Sequence, residues 1–199
     1  MHDPILPIEL LGDVFRHLTP SSLAATSRVC RTWQRLAFPL LYRTVYLCLA
    51  THLEQIARRI CSESKDTEKQ SSVVAHLRGL VLDIEYMEDT EAEMIAEPDV
   101  DHLRAMIPRL TRLSSLSWNL MFVPRDLEIF QLFQTRCPNL TSVHIWIQED
   151  MDFHSETELW AGGNGGPEYS PALVVASLGD QFVFPNLRRF YARGCENAE

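Results

Sequence analysis

The chain has 199 residues, 46% of them hydrophobic and 23% charged, and its net charge at neutral pH is −9. No run reaches the about 18 uninterrupted apolar residues of a membrane span, and no basic patch is present, so we expect neither a membrane nor a nucleic acid as a partner. The N-terminus lacks the basic run of a signal peptide, and the five cysteines include no Cys-x-x-Cys pair. Both features predict an intracellular protein with reduced thiols, in the cytoplasm, the nucleus or both.

The first predicted element is a run of short helices over residues 6–43. Pro7 suits a first helical turn. The apolar side chains that follow it at helical spacing are Ile8, Leu11, Phe15 and Leu18, with Leu10 and Val14 beside them. Thr19 is the predicted N-cap of the second helix, and Pro39 is expected to end or kink the third. About 40 residues cannot bury this much apolar surface alone, which predicts either a partner surface or a bundle that closes on itself or on the rest of the chain.

The same stretch resembles the F-box, the adaptor-binding module of SCF-type ubiquitin ligases. The family pattern is a Leu-Pro pair, an acidic residue with a Leu-Leu pair, a hydrophobic end to the first helix, and then Val-Cys-Arg-x-Trp. The matching residues are Leu6, Pro7, Glu9, Leu10, Leu11, Phe15, Leu18, Leu23, Val29, Cys30, Arg31, Trp33 and Leu36. The resemblance implies an all-α module over residues 1–43 that docks on a small Skp-type adaptor, which in turn binds a cullin. The adaptor contacts that it implies are Leu6, Pro7, Leu10, Leu11, Val29, Cys30 and Trp33.

Residues 44–199 predict an α/β region. Alternating apolar residues over 44–49 predict a strand, and an apolar stripe over 52–61 predicts a helix. Four later stretches share one template, with apolar residues at the first, fourth and sixth positions; they begin at Leu77, Leu113, Leu140 and Leu187. These units resemble leucine-rich repeats, which implies a short, irregular α/β solenoid. An irregular α/β layer without true repeats is the alternative.

The four units begin 36, 27 and 47 residues apart, so the two longer gaps must contain insertions. The first gap holds residues 83–101, with nine acidic side chains and no Lys or Arg. The second gap holds a Gly-rich loop at 149–170. We predict that both are solvated insertions, with a site for a basic partner as the alternative for the acidic one.

A candidate binding surface follows from the strand pattern. Side chains on a strand alternate between faces, so the residues between the inward apolar positions face outward. In the last two units the outward residues include His144, Trp146, Tyr191 and Arg193. Stacked repeats present such rows as a binding surface, and Trp, Tyr and Arg dominate interface energetics. We predict target binding here; a loop packed over Trp146 is the alternative.

The sequence nominates no catalytic residue, metal ligand or cofactor site. The seven histidines are dispersed and none pairs with His or Cys at metal-ligand spacing. Gly162–Gly166 lacks the Lys-Ser/Thr of a phosphate-binding loop. The predicted function is therefore a non-catalytic receptor that brings an unidentified target protein to the ligase. The alternatives are a scaffold that binds the adaptor without a degraded target, and a hydrolase or transferase that uses the 149–170 loop.

Overall fold

The computed structural model describes residues 7–63, 71–83, 95, 99–120, 128–147, 186 and 188–194. Leu6, most of the acidic stretch 83–101 and all of the Gly-rich stretch 149–170 lie outside the described residues. The helices are α1 (Ile8–Arg16), α2 (Pro20–Thr26), α3 (Arg31–Leu41), α4 (Ala50–Ser62), α5 (Val73–His76), α6 (Val100–Met106) and α7 (Glu128–Arg136). The strands are β1 (Thr44–Leu47), β2 (Gly79–Asp83), β3 (Ser115–Asn119), β4 (Ser142–Ile147) and β5 (Arg189–Gly194). None of these helices is long and apolar enough to cross a membrane.

The three N-terminal helices have the ends that their sequences predict, with one difference. Thr19 caps α2, because its hydroxyl oxygen accepts a hydrogen bond from the Ser22 amide at 3.3 Å and Pro20 occupies the first helical position. Pro39 was expected to end or kink α3, but the helix continues through it to Leu41. Since Pro39 lies in the last turn, its missing N–H removes only one bond near the helix end.

The strands form one parallel sheet in the order β1-β2-β3-β4-β5. The template positions coincide across the sheet, with Leu80 beside Leu116, Leu116 beside Val143 and Val143 beside Phe190. The helices and the parallel sheet confirm the α/β class, while the solenoid remains a prediction. β1 follows the same register, with Val45 beside Leu80. It is a further copy of the pattern, with Tyr42 at the position that the other copies fill with Leu.

The start of each strand from β2 onward is joined to the start of the preceding strand by an equivalent pair of backbone hydrogen bonds. The Arg43 carbonyl accepts from the amides of Arg78 and Gly79, at 2.8 and 2.9 Å. The equivalent carbonyls in the next three units belong to Arg78, Ser114 and Thr141, and each accepts from two consecutive amides of the following unit. This recurring junction sets the register and places equivalent residues of successive units side by side.

Side chains at one equivalent position also link neighbouring units. Asn139 donates to the Thr111 carbonyl at 2.8 Å, and Asn186 donates to the Pro138 carbonyl at 2.6 Å. Each asparagine belongs to a Pro-Asn-Leu junction, in which a proline and an asparagine come directly before the template leucine. Each accepting carbonyl lies two residues before the template leucine of the preceding unit. The junction motif therefore has a structural role, which is to satisfy an otherwise open carbonyl.

Two hydrophobic cores are present, and α3 contributes to both. The main core lies between the inner face of the sheet and helices α4, α6 and α7, and includes Leu80, Leu116 and Trp118. The second core, in the N-terminal helices, contains only three buried residues, which are Phe15, Leu23 and Ala37. Phe38 follows Ala37 on α3 but belongs to the main core, where its ring lies 4.5 Å from that of Tyr42. The N-terminal helices are thus anchored to the α/β region through α3.

Candidate functional site

The N-terminal helices expose apolar side chains that the chain does not cover. Six large apolar side chains are exposed among the described residues, and four of these belong to this module: Ile8, Leu10, Val14 and Val29. Leu10 and Val14 are four residues apart on α1 and so lie on one face. They are each 50% exposed, and Val29, just before α3, is 63% exposed. Such a cluster of exposed apolar side chains is typical of a surface that another protein covers.

The small size of the module's core explains why these side chains remain outside. Phe15 is the central buried residue of α1, and Leu11, Leu18 and Trp33 pack against the same core while remaining partly exposed. The Trp33 ring meets Phe15 edge-on, with centroids 5.4 Å apart. With three short helices there is no further layer of structure to cover the opposite edge of the apolar stripe.

The structure divides the predicted adaptor contacts into two groups. Pro7, Leu10, Val29 and Cys30 are exposed. Leu11 and Trp33 are half-buried and contribute to the module's own core. Leu6 lies outside the described residues. Contact with an adaptor remains a prediction for every one of these residues.

Sequence reasoning did not assign Ile8 and Val14 to the contact set, although both are exposed. The available signal was the width of the apolar stripe on α1, which exceeds what one packing face needs. Arg28, Arg31 and Arg35 are also exposed around Val29 and α3. Charged side chains therefore flank the exposed apolar residues along the chain, and a polar rim around an apolar centre is the arrangement found in protein interfaces.

A second candidate surface lies on the outer face of the sheet. The alternation predicted from the sequence is confirmed on β2 to β4. Leu82, Trp118 and Ile145 are buried, whereas the residues directly before and after each of them in the strand are not buried. Two exposed aromatic residues lie on this face, namely Tyr46 on β1, 69% exposed, and Trp146 on β4, 39% exposed. They provide exposed apolar area beside the polar side chains of this face.

Polar side chains on the same outer face are hydrogen-bonded to one another across the strands. Asn119 donates to the Asp83 carboxylate at 3.2 Å, and the Ser117 hydroxyl donates to Asn119 at 2.9 Å. The Ser117 oxygen also lies 3.4 Å from Nδ1 of His144. These bonds hold the polar side chains in fixed positions between the two aromatic residues.

The four residues predicted to bind a target are placed together by the strand register. Position 191 pairs with His144, and position 193 pairs with Trp146. The backbone therefore brings Tyr191 and Arg193 next to the other two, as the sequence predicted. Their role in binding is a prediction.

Four of the five cysteines lie in the part of the chain that the structure describes. Cys30, Cys48, Cys61 and Cys137 are free. Burial raises the pKa of the Cys137 thiol to about 12, and the thiolate is the nucleophilic form. Among the described residues, no group of three or more His, Cys, Asp or Glu side chains could hold a metal ion. The surfaces described here are suited to binding a macromolecule.

Comparison with known proteins identifies the N-terminal helices. Residues 4–48 match the family model of the F-box-like domain. The match covers α1 to α3 and β1, and so includes the exposed apolar residues of the module. No curated protein matches the chain.

Proposed function

We propose that this chain, an F-box protein by virtue of its residues 4–48, is the substrate receptor of an SCF-type ubiquitin ligase. F-box domains generally bind Skp-type adaptors and are non-catalytic parts of ubiquitin ligases. In this proposal residues 1–43 dock on the adaptor and, through it, on a cullin. Residues 44–199 form a short leucine-rich-repeat-like unit that holds the target protein.

The observation that carries the proposal is the exposed apolar surface of the N-terminal module. Leu10 and Val29 are at least half exposed, although both match the F-box pattern. Fully burying an exposed Leu or Val side chain is worth about 1.5–3 kcal/mol, and covering the exposed half or more of these two residues contributes a corresponding share of that amount to binding. Trp33 adds contact area while fixing the angle between α1 and α3 through Phe15.

Co-purification with a recombinant Skp-type adaptor tests the proposed adaptor binding. The informative variant is Leu10→Glu with Val29→Glu, because both residues are exposed and their replacement leaves the small core intact. Tyr46→Ser is the matched control, since it removes a larger exposed apolar side chain from the outer face of the sheet. Wild type and Tyr46→Ser should retain the adaptor and the double variant should lose it. Wild-type protein that retains no adaptor would reject the proposal.

The target-binding half is supported by the outer face of the sheet. The repeated junction bonds and the shared register support stacking of equivalent units, and stacked units align their outward residues. Trp146 is an exposed aromatic residue on this face, and its side-chain type fits an interface anchor. His144, Tyr191 and Arg193 surround it in the strand register.

The proposed mechanism is proximity. A receptor that binds the adaptor at one end and a target at the other holds the target's lysines near the ubiquitin-charged enzyme at a high effective concentration. The chain then needs no catalytic group of its own. Depleting the chain should slow turnover of the captured target, and Trp146→Ala should prevent its rescue while the adaptor remains bound. Unchanged turnover of a captured protein would support the scaffold instead.

A further inference from the structure

Arginines gather at the edge of the sheet where the strands begin. Arg43 and Arg78 directly precede β1 and β2 and lie side by side, because the Arg43 carbonyl accepts from the Arg78 amide at 2.8 Å. Arg112 comes just before β3, and its guanidinium donates to the Ala75 carbonyl at 3.1 Å. At the other end of the same edge, Arg188 and Arg189 begin β5. We call these five residues the arginine edge.

Carboxylates do not neutralise the arginine edge within the described part of the chain. The ion pairs there involve Arg16, Arg58, Arg59 and Arg104, which lie on helices. Burial and the charges of Arg112 and Arg43 lower the pKa of Arg78. Arginine nevertheless stays protonated in proteins, so the like charges repel one another and favour a bound anion.

The arginine edge contrasts with the chain as a whole, whose net charge is −9. The acidic stretch begins at Asp83, the last residue of β2 and hence at the opposite end of the strands. Asp83 and the arginine edge therefore lie at opposite ends of β2, and a negatively charged ligand is favoured at the arginine edge. Arg43, Arg112, Arg188 and Arg189 are exposed there, and Arg78 is half-buried.

We propose that the arginine edge binds a carboxylate-rich peptide segment of a partner protein. The five strands span roughly 19 Å at about 4.8 Å between neighbours, which matches about six residues of extended chain. Guanidinium groups bind carboxylates through two parallel hydrogen bonds, so a row of arginines suits successive Glu or Asp side chains. A longer polyanion such as a nucleic acid would extend beyond the arginine edge, and the chain as a whole is acidic, with a net charge of −9.

Two hydroxyl groups along this edge hold neighbouring units together. Ser114 donates to the Arg78 carbonyl at 3.0 Å, and Thr141 donates to the Ser114 carbonyl at 3.1 Å. The guanidinium groups carry the positive charge of this edge, so replacing them with neutral side chains tests charge-based recognition of the peptide.

The test is fluorescence anisotropy with a fluorescein-labelled ten-residue polyglutamate peptide and the full chain. The variant is Arg43→Gln with Arg112→Gln, since both side chains are exposed. The matched control is Arg58→Gln with Arg136→Gln, which removes the same charge from the exposed surfaces of α4 and α7. Circular dichroism of each protein shows whether the Arg112 contact with Ala75 is needed for folding; if it is, Arg43→Gln with Arg188→Gln replaces the first variant.

We expect the wild type to bind the peptide, with affinity that falls as salt is raised, because the contacts are charge-based. The arginine-edge variant should bind about tenfold more weakly, whereas the control variant should change less than about twofold. Absence of wild-type binding, or equal losses in the two variants, would overturn the proposal. Tighter binding of a ten-nucleotide single-stranded oligonucleotide than of the peptide would also overturn it, in favour of a nucleic-acid site. None of these outcomes depends on adaptor binding.

Discussion

Trp33 meets Phe15 edge-on, with ring centroids 5.4 Å apart and an angle of 77° between the ring planes. The contact joins α3 to α1 across a core with only three buried residues. Trp33 thus belongs both to the module's core and to the predicted adaptor contact. Under the proposed adaptor contact, adaptor binding and the stability of the module are coupled at Trp33.

We expect Trp33→Ala to lower the free energy of unfolding by about 3 kcal/mol, because it removes a large apolar side chain and an aromatic contact from a small core. Urea unfolding followed by circular dichroism measures the change. Trp146→Ala is the matched control, since it removes the same side chain from a more exposed position outside the small core, and its effect should be smaller than that of Trp33→Ala. Equal stabilities of the two variants would show that Trp33 does not support the core.

Two glycines should respond oppositely to alanine. A Cβ at Gly79 would lie 2.9 Å from Oγ1 of Thr44 and 3.1 Å from Oγ of Ser115, whereas a Cβ at Gly12 would meet nothing within 4 Å. Gly79→Ala should therefore destabilise the protein by about 1–3 kcal/mol through overpacking between β1 and β3.

Gly12→Ala should instead stabilise the protein by up to about 1 kcal/mol, because Gly12 lies inside α1. Thermal unfolding of both variants provides the comparison. A stabilising effect of Gly79→Ala would contradict the close approach of the strands at that residue.

Glu63 is a buried carboxylate that fixes the start of α5. It accepts hydrogen bonds from the amides of Val73 and Val74, at 2.7 and 3.3 Å, and from the Ser72 hydroxyl at 2.7 Å. Glu63→Gln should lower stability by about 1–3 kcal/mol, since an amide NH₂ must then face one of these donors. Glu54→Gln, at a more exposed ion pair with Arg58, should be nearly neutral. Chemical unfolding of both proteins measures the difference, and equal effects would contradict the role of Glu63.

The cysteines should differ in reactivity. With a pKa of about 12, the Cys137 thiol is ionised in roughly one molecule in ten thousand at pH 8. Iodoacetamide should therefore alkylate Cys30, which is exposed, long before it alkylates Cys137. Peptide mapping by mass spectrometry follows both sites. Cys137 should react at pH 8 only after denaturation, and rapid alkylation in the native protein would contradict its burial.

The strand register was largely predictable from the sequence. The six-residue template identified β2 to β5, because strand alternation has a fixed period of two and each copy carries apolar residues at the same sequence positions. β1 was predicted as a strand but not as a copy of the template, because Tyr42 replaces the first leucine. Ile8 and Val14 could not be assigned to core or surface, since helical periodicity gives the direction of a side chain but not what packs against it.

The arginine edge was not predictable either. Arg43, Arg78 and Arg112 are separated by 35 and 34 residues in the chain. They come together only when the strands pair in register, and a search for basic runs along the sequence finds none of them. Predicting a charge cluster formed by residues far apart in the chain requires knowledge of the sheet topology.

The most direct test of the account is amide hydrogen exchange of the full chain, alone and with a saturating amount of a purified Skp-type adaptor. The account predicts slower exchange in α1 and around residues 29–33 when the adaptor is present, because those backbone segments carry the exposed apolar side chains that it covers. Strands β2 to β4 should exchange at unchanged rates. Protection confined to the sheet, or no protection anywhere in the presence of excess adaptor, would contradict the claim that the α1–α3 surface is the adaptor-binding site.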